Sequence, residues 1–545
     1  MRGQDNKYSH RPQNSLRGIQ INISSDPFQH RIPSYFQRVW QESKLRKWTS
    51  VVKRRCIKRF QRSNWIELGL VGLSVFAGCM LLLVHVGFFS GKKYQDWQQD
   101  HEVDVLEQVD LLEKVYPDEG RLQTTAVVWI SQDHGSVDDI IKDLCEYDMF
   151  NSFIIWNDNP AIQLTNAMIK GCYSNKINII NAPKSIGVAG RYHACQSAKT
   201  TYCYFQDIPN KKRLRSIYAN FLRSTHLIHG ESSSYESYID SHWRYCFSNQ
   251  EEVELHTCYI DMGSGTFASK EMVSKFINKY NNTNEYADVH FILNMNQIPY
   301  QLEGHGSFTK EPSTKEIEHL NQGLKTLYND LKKKIPYSDS IMDQRHARAS
   351  CGRDQCLFLT NVAVFPDVQL FSYNPTIDVR TLKQMHDDYI IKDYYQDHHY
   401  AFAVDEDDST SWKSAENIRA GDYIGLDLLM PMRIPLKYRL VSRHPYAYMS
   451  SIRIQISYDS SQWIKLHPSP FMKCEMMDMD DELLECHFIV RETGYRYIRL
   501  ESQKDLEFGF NVHELSFNGK VKKDKNGQLL DIAFEQDGIA FVEDN

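Results

Sequence analysis

Between Leu68 and Val84 the chain reads LGLVGLSVFAGCMLLLV without one charged side chain, and apolar character runs on past His85 to Phe89. A run of about 22 apolar residues, rising 1.5 Å each as a helix, spans roughly the 30 Å of a bilayer's hydrocarbon. A transmembrane helix is therefore predicted over 65–89. A cleaved signal peptide fits worse, because residues 1–64 come first. The flank on that side is strongly basic, with KLRK, KRR and KRFQR between Arg38 and Arg62, whereas only Lys92 and Lys93 follow the run before acidic sequence begins. The positive-inside rule then keeps the N-terminus cytosolic. The expectation is a single-pass type II protein of the ER or Golgi membrane with a lumenal body, and the lipid bilayer is its first expected partner.

Cysteine usage agrees with that compartment. Beyond the apolar run lie Cys145, Cys172, Cys195, Cys203, Cys246, Cys258, Cys351, Cys356, Cys474 and Cys486. An even set in an oxidising lumen permits full pairing, though connectivity stays open. Cys351 with Cys356 and Cys474 with Cys486 are plausible local pairs. No CxxC spacing favours zinc. One lumenal glycosylation sequon begins at Asn281. The formal charge of −7 gives no reason to expect nucleic acid as a partner.

The remaining chain divides by texture. Residues 1–64 read as a disordered basic tail. Residues 90–122 read as a charged stem, helical across DVLEQVDLLEKV. From Thr124, short apolar strands alternate with helices: TTAVVWIS, VDDIIKDLCEY, NSFIIW, INIINAP, GRYHACQSAKT and TYCYFQ. Such alternation predicts an α/β, Rossmann-like domain over 123–310 with a mostly parallel sheet. A helical connector and the Cys351/Cys356 loop follow over 311–366. Residues 367–524 carry eight short strand patterns with turns between them, as in an all-β sandwich. An acidic tail, 525–545, closes the chain.

Ligands of open α/β sheets bind at the carboxyl ends of the strands. Polar residues collect there: Trp156, Asn157 and Asn159 after the second strand, Asn181 after the third, and Asp207 after the fourth. Arg191 opens the helix before the Asp207 strand, and Lys211, Lys212 and Arg213 follow it. Sugar transfer from a nucleotide donor asks for such a set. A divalent metal on carboxylates, or basic side chains, must neutralise the leaving diphosphate. A further carboxylate serves the acceptor side.

Over about 120–302 the sequence resembles the exostosin-type glycosyltransferase domain of fungal membrane proteins. The stretches FIIWNDNP, INIINAPKSIGVAGRYHACQSAKTTYCYFQD, IYANFLR, LHTCYIDMGSGTFASKE and NQIPYQL carry the likeness. The resemblance implies a GT-A fold, a UDP-sugar donor, Mn²⁺ on Asp207 and a glycan or glycoprotein acceptor. It also places Trp156, Asn157, Asn159, Asn181, Arg191, Lys211 and Arg213 around the donor. Two departures weaken it. The family reads roughly FQDDDW where this chain reads FQDIPN, leaving Asp207 without its companion acids. The downstream acidic pair falls on Asn282 and Thr283, so the catalytic carboxylate passes to Asp288 or Glu285.

The stretch AVDEDDSTSWKSAENIRAGDYIGLDLL and the tail NVHELSFNG resemble the two ends of a discoidin, or coagulation factor V/VIII type C, domain. That likeness implies a jelly-roll sandwich with carbohydrate or surface binding, and a structural Ca²⁺ held by Asp405, Asp407, Thr410 and Glu514. Trp412 reads as core, and Tyr446 and Tyr448 as candidates for stacking on sugar. Two functions follow as expectations. One is a UDP-sugar transferase with a weakened metal motif. The other is an inactive relative that binds carbohydrate, or stabilises a partner, through its sandwich.

Overall fold

A computed structural model describes residues 73–74, 76–78, 99–103 and most of 123–523. Outside the described residues fall 132–135, 210–212, 234–244, 250, 281–285, 305–311, 336–344, 363–371, 390–397, 433, 444–447, 449, 468 and 478–479. The expected membrane span lies almost wholly outside them, as do the stem helix, Lys211, Lys212, Asn281, Glu285 and Tyr446. Among the described residues no helix is long and apolar enough to cross a membrane. Residues 96–545 form one compact unit.

The first described strand, β1 (Gln99–Val103), lies in the expected stem and pairs antiparallel with the last strand of the chain. The α/β half begins with β2 (Thr124–Ile130), α1 (Val137–Cys145), β3 (Phe150–Asn157) and β4 (Ile177–Asn181). It continues with α2 (Ala189–Ser197), β5 (Tyr202–Gln206), α3 (Leu214–Arg223) and β6 (His229–Ser233). A hairpin of β7 (Cys246–Asn249) and β8 (Leu255–Cys258) stands apart. Then come β9 (Ser264–Ser269), α4 (Lys270–Tyr280), α5 (Ala287–Met295), β10 (Tyr300–Gly304) and α6 (Thr314–Lys332). Strands β2 to β5 are parallel, as their continuous apolar runs predict. Strand β9 runs antiparallel between β5 and β6, so the sheet is mixed rather than mostly parallel.

The sheet does not stop at the α/β half. Beside β10 lies β11 (Ala347–Ser350), which turns back through β12 (Leu357–Thr360) onto β14 (Tyr423–Asp427). Beyond β14 follow β20 (Tyr497–Ser502), β16 (Ile452–Ser457) and β17 (Ile464–Lys465), completing one 13-stranded sheet. A second sheet of β1, β15 (Leu436–Arg443), β18 (Lys473–Met477), β19 (Asp480–Val490) and β21 (Asn511–Lys523) faces it, with β13 (Trp412–Lys413) on β21. The two sheets form the sandwich expected from the sequence.

Period-two alternation explains how one strand serves two cores. On β12, Phe358 points into the sandwich core with Trp412, whereas Leu357 and Leu359 join the α/β core. On β14 and β20, Ile424 and Ile498 face the sandwich, while Tyr423 and Tyr497 face α3. The seam is also charged. Arg496 forks onto the fully buried Asp427 at 2.7 and 2.9 Å, and Arg223 of α3 lies over the Tyr497 ring at 5.3 Å. Tyr448 is core, its hydroxyl donating to the Leu500 carbonyl, so of its two readings, sugar contact and packing, packing holds. AFAVDEDDSTSW is a short helical turn and loop before β13 rather than a strand.

All ten cysteines beyond the apolar run pair: Cys145–Cys172, Cys195–Cys203, Cys246–Cys258, Cys351–Cys356 and Cys474–Cys486. Both expected local pairs are present. The Cys351–Cys356 loop carries Asp354, whose carboxylate accepts the Arg215 and Ser216 N–H groups at 2.8 Å each. It thereby caps α3, the helix of the seam. Burial pushes the Asp354 carboxyl up to about 6, against the pull of those two N–H groups. A raised folded-state pKa stabilises below the ordinary value of 3.8 and loses that contribution as pH rises through about 6. Asp354→Ala is expected to cost about 1–2 kcal/mol in denaturant unfolding, through loss of the cap. Asp354→Asn should gain on the wild type between pH 4 and pH 7; a constant difference would refute the assignment.

Candidate functional site

The crevice at the carboxyl ends of β2, β3 and β5 is shaped first by a loop. Asp158, at the end of β3, accepts from Ser185 Oγ at 2.6 Å and from the Ile186 and Gly187 N–H groups at 2.9 Å each. Those bonds set the entry to α2. At Gly190 a Cβ would fall 2.2 Å from Trp156 Nε1, so only glycine lets the helix pack on that indole. Arg191, one residue on, is aimed inward with a side chain only 4% exposed.

Three ionised groups meet there. Asp207 leaves β5 with its own N–H bonded to the Gly263 carbonyl at 2.8 Å. Its Oδ1 accepts the Trp129 N–H at 2.9 Å, and its Oδ2 accepts Arg191 Nη2. The other arm of the guanidinium, Nη1, donates to Asp288 Oδ2 at 2.6 Å. Tyr192 Oη donates to the second Asp288 oxygen, also at 2.6 Å. At Gly263 a Cβ would lie 2.7 Å from Asp207 Oδ2 and 2.9 Å from Arg191 Nη2, so any larger residue in this turn would push on the ion pair. Asp261 stands close enough to act on all three.

The electrostatics follow from burial. Burial alone would lower the Arg191 pKa; the carboxylates of Asp207 and Asp288 more than reverse this and hold it above its ordinary value. Burial pushes Asp207 up to about 6, with Arg191 and the Trp129 N–H pulling it down. Asp288 is raised for the same reason, against Arg191 and Tyr192. One fixed cation thus serves two carboxylates.

The sequence-based donor residues are accounted for individually. Asn157 Nδ2 donates to the Ile162 carbonyl and to Asn181 Oδ1 at 2.8 Å, and Asn181 pins Leu164 through both its amide atoms. Asn159 accepts the Ala161 N–H at 3.0 Å. Trp156 donates to Asp158 at 3.2 Å and stacks on His193. Together these residues shape the 159–164 loop. Arg213 reaches Glu231 at 3.3 Å, beside rather than within the triad. Sequence reasoning brought Arg191, Asp207 and Asp288 to the same crevice, but it missed Asp261, Gly263 and the mutual pairing.

A divalent metal does not fit the Asp207 position as these residues stand. The oxygen that would face it already carries a guanidinium nitrogen, and a metal would have to displace a buried, charge-assisted hydrogen bond. Among the described residues no group of three or more His, Cys, Asp or Glu side chains is placed to hold a metal.

In the sandwich, the expected calcium residues sit around one loop. Asp405 accepts Thr410 Oγ1 at 2.8 Å and the Asp407 N–H at 3.1 Å, while Asp407 turns to Ser409. Glu514 accepts the Glu406 N–H at 3.0 Å, and burial, with Asp405 adding to it, pushes its carboxyl up to about 8.

No family model matches the chain, and no curated protein matches it. Solved structures give partial likenesses. Chitosan-binding module 1 of a chitosanase/glucanase from Paenibacillus sp. IK-5 is 20% identical over 23% of this chain and 86% of its own, with a TM-score of 0.17. The CBM32-1 module of a family 31 glycoside hydrolase from Clostridium perfringens is 20% identical over 22% and 81%, at 0.16. The arabinofuranosyltransferase AftD from Mycobacteria is 12% identical over 31% and 12%, at 0.17. None of these supports the exostosin-type resemblance, and at such scores none carries weight for function.

Arg191→Ala leaves two buried carboxylates uncompensated and is expected to cost about 3–5 kcal/mol in unfolding free energy, against much less for Arg191→Lys. An Ala variant as stable as the wild type would mean that the triad does not hold the crevice together.

Proposed function

We propose that this chain is a glycan-binding membrane protein of the secretory pathway, built on a sugar-transferase-like α/β scaffold that no longer works with a divalent metal. The observation that carries the reading is the ion pair of Arg191 with both Asp207 and Asp288. In a metal-dependent transferase the first of these carboxylates faces the metal and the diphosphate. Here its charge is already met. With Asp261 nearby, three carboxylates face one guanidinium, and a bound diphosphate would be repelled. Glycan recognition then falls to the sandwich, whose two sheets are complete and whose sequence resembles a discoidin domain at both ends. The type II anchor belongs to the same proposal, and complete pairing of the ten cysteines supports an oxidising compartment. Calcium held by the Asp405 loop is part of the same proposal, drawn from the discoidin-like sequence. There, added Ca²⁺ is expected to raise Tm in the wild type and not in Asp405→Ala.

The full-length protein tests the functional reading directly. It is expected to bind immobilised oligosaccharides and to hydrolyse no UDP-sugar, with or without Mn²⁺. Mn²⁺-stimulated hydrolysis that disappears in Asp207→Asn would restore the transferase and overturn the proposal.

A further inference from the structure

One open cleft in the sandwich has the chemistry of a sugar contact. It is a shallow depression wide open to solvent, with about 440 Å³ of space between the loop after β13 and the loop after β20, lined by Glu416, Asn417, Ile418, Arg419, Asp505 and Leu506. That volume lies within the roughly 300–1,000 Å³ of ligand pockets. Ile418 belongs to the core beneath and Leu506 is half-buried, so Leu506 supplies the apolar contact of the cleft, while the other four residues are exposed around the rim.

The two loops are fixed before any ligand arrives. Ile418 N–H donates to the Phe508 carbonyl, and Leu506 N–H donates back to the Ile418 carbonyl, each at 2.9 Å. The Ala420 N–H donates to Asp505 Oδ1 at 2.9 Å, and Ser414 Oγ to the Glu416 carbonyl at 2.8 Å. A preorganised pocket spends little binding free energy on ordering itself. On the rim, Arg419 Nη2 donates to Glu416 Oε2 at 2.6 Å, between side chains that are both more than half exposed.

We propose that this cleft is where the sandwich holds a glycan, and that it takes a neutral or amino-sugar residue rather than a sulfated or uronic one. The inference rests on the glycan-binding reading above and assigns its site. A pyranose presents adjacent hydroxyls, each a donor and an acceptor, around an apolar C–H face. Planar carboxylate, amide and guanidinium groups match hydroxyl pairs, and the half-buried Leu506 offers an apolar contact to the ring face. The lining carries two carboxylates, Glu416 and Asp505, and one guanidinium, Arg419, for a balance of −1. That sign disfavours an anionic sugar and tolerates an ammonium.

The test compares the full-length wild type with a Glu416→Ala/Arg419→Ala double variant on an array of neutral, amino and acidic oligosaccharides. The two side chains pair with each other on the surface, so their removal should leave Tm nearly unchanged. Wild type is expected to bind neutral or amino sugars and not acidic ones, and the double variant to lose about tenfold or more in affinity. Asn417→Ala, with the pair intact, should weaken binding by a smaller factor. Undiminished binding by the double variant would remove the site from this cleft and leave the glycan-binding reading standing. A preference for acidic sugars would overturn the charge argument. A wild type that binds no oligosaccharide would bring down this inference and the reading beneath it together.

Discussion

A single guanidinium between two carboxylates organises the α/β half. Arg191 ties the end of β5 to the start of α5 through Asp207 and Asp288, and Tyr192 adds a second hold on Asp288. Around it the crevice closes by close approach, with glycines where a Cβ would strike the triad or the Trp156 indole. Taking charges from water is expensive, and the cost is offset here because the groups satisfy one another. A metal-binding carboxylate must keep an oxygen available, and Asp207 spends both of its oxygens on protein donors.

The second organising feature is continuity of the sheet. Strands β11 and β12 carry hydrogen bonding from the α/β half into the sandwich, and their side chains feed one core on each face. The Cys351–Cys356 loop sends Asp354 to cap α3, and Arg223 of that helix returns over Tyr497. The sandwich and the α/β half are therefore parts of one folded body. The proposed sugar cleft and the Arg191 triad lie in the same unit.

Much of this was legible in sequence because it is local. Apolar runs such as TTAVVWI and YCYFQ mark β2 and β5, and the 3.6-residue pattern over 313–335 marks α6. The aspartate at the end of YCYFQ was placed at the strand's carboxyl end for the same reason. What was not legible depends on distant pairs. Arg191 and Asp288 are 97 residues apart, and no periodicity relates them. Strand β1 reads as stem until β21 supplies its partner, and β11 and β12 are too short to announce themselves. Tyr448 reads from sequence either as a sugar platform or as packing, and only the enclosing core decides for packing.

A divalent cation between Asp207 and Asp288 would have to displace Arg191. Titration of Mn²⁺ into the full-length protein, followed by the spectroscopic signal of free Mn²⁺, tests it. No uptake is expected in the wild type, and uptake is expected once Arg191→Ala frees the two carboxylates. Stoichiometric Mn²⁺ binding by the wild type that is lost in Asp207→Asn would contradict it.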